Sequence, residues 1–107
     1  MTDQPVLIYT LFGASAEARQ VAKTLISEKL VACANHFAPA TAQYVWDGDF
    51  CEDEEYPVLL KTTESQAKAA MQRLKKLHSY DTPAILSWAA DDSDPAYAKW
   101  LSTQLEE

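Results

Sequence analysis

Glycine is nearly missing from this sequence. Only Gly13 and Gly48 occur in 107 residues, so no glycine-rich loop can wrap a phosphate in backbone N–H groups. Cysteine is equally scarce. Cys33 and Cys51 stand far apart with no Cys-x-x-Cys pair, and no Gly-x-Ser-x-Gly elbow is present to raise a serine nucleophile. Basic residues number nine against 16 acidic ones, for a formal net charge of −7. Nucleic acid and anionic membrane surfaces both call for clustered Lys and Arg, and here the basic residues are scattered. Neither is an expected partner. No apolar run approaches the roughly 20 residues of a membrane span. The opening Met1-Thr2-Asp3-Gln4-Pro5 has no basic stretch leading into an apolar one. The sequence therefore predicts a cytoplasmic protein, in which both cysteines are free thiols.

Apolar residues make up 48% of the chain, which places it among globular proteins rather than disordered ones. The length suits one domain over residues 1–107. Val6 to Phe12, unbroken by charge, predicts a strand covered on both faces. Ser15 is placed to cap the next helix, with Glu17 in its first turn. Ala18, Val21, Ala22, Leu25 and Ile26 then recur at helical spacing, to about Lys29.

The stretch from Leu30 to Thr63 reads as a long hairpin around an Asp-Gly turn. Its first arm runs Leu30 to Trp46, with a bend or bulge at Pro39. Val31, Cys33 and Asn35 alternate there with Ala32, Ala34 and His36. Its return arm ends on Tyr56 to Thr63. Thr63 and Gln66 make a capping-box pattern ahead of a second helix, whose inner face is Ala67, Ala70, Met71, Leu74 and Leu77. Ala84 to Ala90 is a fourth strand. Asp94-Pro95 opens a last helix, buried through Ala98, Leu101 and Leu105.

The order β-α-β-β-α-β predicts an α+β, ferredoxin-like fold: a four-stranded antiparallel sheet, two helices on one face, a C-terminal helix and a long protruding hairpin between the second and third strands. Two helical stripes suffice for one sheet face, yet the strands are apolar on both. A homo-oligomer is the economical cover for the other.

Few residues suggest chemistry. His78 falls at a helix C-terminus, where it serves as a cap or as a metal ligand. Cys33 and His36 point to opposite faces of a strand and cannot share a ligand. Cys33 reads as a small buried apolar residue. Cys51 lies among carboxylates that disfavour a thiolate. Asp47, Asp49, Glu52, Asp53, Glu54 and Glu55 lack the order of a calcium loop and read as a solvated hairpin tip. Lys61 interrupts an apolar strand, either guarding an edge or holding an anion in a cleft. Tyr44, Trp46 and Trp100 read as packing aromatics between subunits.

Five stretches carry a family resemblance: Glu28-Lys29-Leu30-Val31-Ala32-Cys33-Ala34, Tyr44-Val45-Trp46-Asp47-Gly48, Leu60-Lys61-Thr62-Thr63-Glu64, His78-Ser79-Tyr80-Asp81-Thr82-Pro83 and Tyr97-Ala98-Lys99-Trp100-Leu101. In this order and spacing the chain resembles the CutA family of divalent cation tolerance proteins along nearly its whole length. The resemblance implies a non-catalytic homotrimer with no obligatory cofactor, responding to and binding divalent metals such as copper. It implies a polar cleft between subunits, near Lys61, His78 and Tyr80, to which Cys33 and Asn35 are added as candidates. Some relatives are credited with a copper site of one cysteine and two adjacent histidines. Here those positions are Thr10 and the pair Leu77-His78, so only His78 remains of that set. The alternative is a trimeric nucleotide-binding signalling protein of the nitrogen-regulatory type, against which the missing glycine-rich loop counts.

Overall fold

The computed structural model describes residues 3–106. Strand β1 (Pro5–Phe12) leads through Gly13 into helix α1 (Ser15–Ser27). Strands β2 (Cys33–His36), β3 (Ala40–Trp46) and β4 (Asp49–Thr63) follow, then helix α2 (Glu64–Leu77), strand β5 (Ile85–Ala89) and helix α3 (Pro95–Gln104). The sheet order is β2-β4-β1-β5 and every pairing is antiparallel, with β3 continuing along β4 beyond β2. This is the ferredoxin-like arrangement expected. The first arm of the hairpin is broken into β2 and β3 around Pro39, where a residue without an N–H cannot join the ladder.

Alternation sorts the sheet into two faces. Ile8, Phe12, Val58 and Leu60 pack with Ala18, Val21, Ala22 and Leu25 of α1 and Ala70 and Leu74 of α2 in one buried cluster. Leu7, Tyr9 and Leu11 of β1 point the other way and are only half-buried. The expectation of a strand covered on both faces is thus met on one side within this chain. On the open side α3 lies against β4, burying its own Ala98, Leu101 and Leu105. Beyond it Trp88 is 49% exposed, Leu86 61% and Trp46 62%.

The hairpin turn has two residues, Asp47 and Gly48, with φ of 52° and 84°. Two successive left-handed residues match the twist of antiparallel strands, and Asp-Gly is the pair that tolerates them. The arms carry the chain well past the sheet. The molecule extends 48 × 26 × 23 Å with a radius of gyration of 14.6 Å, against about 13 Å for a compact domain of this length.

Three local expectations are corrected. Ala14, not Ser15, is the N-cap of α1, and no side chain caps it. Thr63 does occupy the N-cap of α2, but its side chain caps nothing. Asp3 instead takes the backbone N–H of Ser65 at 3.2 Å and also bonds the Ser65 hydroxyl. Val31 does not share a face with Cys33. It precedes β2 and is buried in the helix-side core, because the chain bends at Ala32 and the regular alternation starts only at Cys33.

Candidate functional site

The expected cleft residues fall into two groups at opposite ends of the sheet. The first is built by register. Cys33 of β2 sits directly across from Lys61 of β4, and Asn35 across from Leu59. Helix α3 lays Tyr97 over them. Its hydroxyl lies 3.9 Å from Cys33 Sγ, and Lys61 Nζ stands 5.8 Å from the centre of its ring, within cation–π range. Burial and the neighbouring Cys33 push the Tyr97 phenol upward. Tyr97 in turn stacks on Trp100, with centroids 5.8 Å apart. Asp94 holds this helix start in place by accepting the Tyr97 N–H at 3.0 Å, as the Asp-Pro pair predicts.

The second group gathers where α2 runs out. His78, only 7% exposed, stacks on Phe12 and lies against Tyr80. Its Nε2 donates to the Leu11 carbonyl at 2.7 Å, and its Nδ1 accepts the Tyr80 N–H at 3.1 Å. Glu17 accepts both the N–H and the hydroxyl of Ser79, at 2.8 and 2.9 Å. The Tyr80 hydroxyl donates to Glu55 at 3.0 Å. Burial first, and that bond second, push the Tyr80 phenol up to about 12. On the hairpin the Tyr44 hydroxyl donates to Asp53, which pushes that phenol up to about 12 as well. Leu11, Tyr44, Trp46, Glu55, Tyr80, Asp81, Thr82 and Ala84 enclose a notch of about 420 Å³.

Glu55 and Tyr97 did not stand out in the sequence as site residues. A signal for Glu55 existed. Counting the ladder back from the two-residue turn puts Tyr44 opposite Cys51 and Ala40 opposite Glu55, which takes Glu55 out of the solvated tip and onto the face of Lys61.

A resident copper ion fits one chain poorly. Both nitrogens of His78 are engaged in hydrogen bonds, and a metal would have to displace one of them. Thr10, at the position where some relatives carry cysteine, presents a hydroxyl that is fully buried without a hydrogen-bond partner. Among the described residues no group of three or more His, Cys, Asp or Glu side chains is disposed to hold a metal. Cys33 and Cys51 are free, and no helix there is long and apolar enough to cross a membrane.

Comparison with known proteins agrees with this architecture. A divalent-cation tolerance protein CutA from Pyrococcus horikoshii is 42% identical over 96 residues, covering 90% of this chain and 93% of the relative. The crystal structure of the divalent ion tolerance protein CutA1 from Ehrlichia chaffeensis superposes with a TM-score of 0.96 at 28% identity, covering 100% of both chains. CutA from Archaeoglobus fulgidus, described as a periplasmic divalent cation tolerance protein, superposes at 0.91 with 27% identity, covering 95% of this chain and 99% of that one. The family model for the CutA1 divalent ion tolerance protein matches residues 6–104. From first strand to last helix, then, this chain belongs to the CutA1 family of divalent ion tolerance proteins.

Proposed function

We propose that the protein acts as a homotrimer in the response to divalent cations such as copper, by binding rather than by turnover. The observation that carries this reading is the uncovered apolar surface. Leu86 and Trp88 on the sheet, and Val45, Trp46 and Phe50 on the hairpin, are large hydrophobic side chains left in the open by a single chain. Trp46, Leu86 and Trp88 share the open face of the sheet, Val45 and Phe50 the other face of the hairpin, and exposed apolar side chains gathered on such surfaces mark sites of association. The binding reading is supported by the surroundings of the nucleophiles. Cys33 has a tyrosine beside it, and Cys51 donates to the Asp49 carbonyl at 3.6 Å. Among the described residues neither has a base in hydrogen-bond reach to activate it.

Since the described residues of one protomer offer no ready set of metal donors, cation binding on this reading belongs to clefts that two protomers complete. Light scattering tests the assembly: about three times the 11.9 kDa chain mass is expected, and a stable monomer at working concentration would end the reading. Calorimetry with copper, zinc and nucleotides tests the ligand. Tight binding of ATP without binding of copper would replace the metal reading with a nucleotide sensor. We place the protein in the cytoplasm, on the strength of its two unpaired thiols. Recovery in the periplasmic fraction of bacterial cells would overturn that placement.

A further inference from the structure

His36 closes β2 with its side chain turned away from the open face. Ala34, two positions earlier, packs on the helix-side core, and alternation puts His36 on that same side. Its partner across the ladder is Val58, and Tyr56 stands two positions before Val58 on β4. The first arm then breaks. Phe37 still donates its N–H to the Pro57 carbonyl at 3.0 Å, but Ala38 and Pro39 belong to no strand. The break leaves a gap between the base of the hairpin and the first turns of α1. Ser15, Arg19, His36, Phe37, Pro39 and Tyr56 help to line it, and it holds about 270 Å³.

The charge of this pocket runs against that of the chain. Acidic residues outnumber basic ones by 16 to nine, yet among the described residues no carboxylate lines it. Arg19 and His36 both do, and neither is in an ion pair there; the single pair joins Arg73 to Glu28. A guanidinium fork matches a carboxylate with two parallel bonds, and an imidazole N–H adds a third donor. The walls are flat and apolar: Phe37, 51% exposed, with Pro39 and the ring of Tyr56. The volume falls below the roughly 300–1,000 Å³ of pockets for drug-sized ligands, so a single ring fits and a nucleotide does not. Glu54 accepts the Tyr56 hydroxyl at 3.1 Å, and with a net charge of −7 it favours a ligand of one negative charge over one of two. We propose that this pocket binds a small aromatic monocarboxylate. The carboxylate meets Arg19 and His36, and the ring lies against Phe37, Pro39 and Tyr56. The site is on the helix side of the sheet, away from the open face that the trimeric reading covers, so the inference goes beyond that reading and does not depend on it.

Benzoate is the probe. Amide NMR spectra of the isotope-labelled protein should show saturable shifts at Ser15, Arg19, His36 and Phe37 as benzoate is added, with a dissociation constant in the millimolar range or tighter. Benzyl alcohol keeps the ring without the charge, and acetate keeps the charge without the ring; each should bind about tenfold more weakly or worse. Arg19→Gln and His36→Gln should each weaken benzoate by about tenfold. Both side chains are exposed, so Tm should hold in either variant. Lys23→Gln, one turn further along α1 and outside the pocket, should leave benzoate binding unchanged. Absence of saturable shifts at these amides overturns the inference. So does equal binding of benzyl alcohol, full binding by both pocket variants, or an equal loss in Lys23→Gln. Phenyl phosphate binding more tightly than benzoate overturns the choice of a monocarboxylate.

Discussion

His78 lies flat on Phe12, with ring centroids 4.4 Å apart and planes 7° from parallel. The stack exists because α2 ends at Leu77 and its C-cap residue leaves the helix in an extended conformation, at ψ 139°. That step drops the imidazole onto the end of β1. There its two nitrogens join the Leu11 carbonyl to the Tyr80 N–H. The ring therefore ties α2 to the sheet and starts the loop that carries Tyr80. His78→Ala leaves a cavity and two unsatisfied backbone groups, a loss of about 3 kcal/mol measurable by urea unfolding. His78→Gln keeps part of the bonding and should cost less. Any copper uptake by the folded His78→Gln protein should match that of the parent in calorimetry. Loss of that uptake would put the ion on this ring.

Two tyrosines report the state of the hairpin. The phenols of Tyr44 and Tyr80 are both pushed up to about 12 from 10, the first chiefly by its bond to Asp53 and the second chiefly by burial. Raised values mean that the folded state holds these protons more tightly than the unfolded chain. The stability they contribute is complete below pH 10 and is lost as pH rises through 12. Ultraviolet titration of phenolate formation should resolve a late pair among the five tyrosines. Asp53→Asn should bring Tyr44 down clearly and Tyr80 only slightly, since Asp53 is the chief cause for the first and the smallest for the second. Two unchanged late tyrosines in that variant would refute the assignment of Tyr44.

Much of this was legible because it is local. Asp47-Gly48, Pro39 and Asp94-Pro95 each constrain the backbone where they stand, and the turn, the break and the last helix follow from them. The caps were not legible in the same way. The N–H of Ser65 is satisfied by Asp3, 62 positions upstream, and no local pattern around Thr63 encodes that partner. Val31 likewise faces the helices because the chain bends at Ala32 before the β2 ladder begins, and no residue type there announces the bend. The expected cleft residues are divided between two places in one chain. Sequence motifs say which residues matter, while only the register along β4 says that Lys61 and Tyr80 lie at opposite ends.

Thr10 is a site of built-in instability. Its side chain is fully buried on the helix side of β1, and its hydroxyl has no hydrogen-bond partner among the described residues. An unpaired buried hydroxyl forfeits its hydration without return. Thr10→Val keeps the β-branched shape and removes the polar atom. The expected gain is about 1 kcal/mol, seen as a rise in Tm of a few degrees by calorimetry. A fall in Tm would mean that the hydroxyl is satisfied in solution, by water or by a neighbour.

Trp46 and Trp100 offer the sharpest contrast among the exposed aromatics. Trp100 already spends part of its ring on Tyr97 within its own protomer, whereas Trp46 stands on the protruding arm, 62% exposed. It also lines the notch beside Tyr44 and Glu55. A tryptophan buried only on assembly is the kind of residue whose loss costs about 2 kcal/mol or more, or roughly thirtyfold in dissociation constant. On the proposed trimeric reading, Trp46→Ala should therefore shift the assembly toward smaller species on dilution, followed by light scattering, while leaving the helical circular dichroism of each protomer intact. Trp100→Ala should do so less, and should lower protomer stability instead, because its packing against Tyr97 exists before association. If the Trp46→Ala trimer dissociates at the same concentration as the parent, the hairpin tip lies outside the assembled surface, and the interface must be sought at Leu86 and Trp88 on the β5 edge.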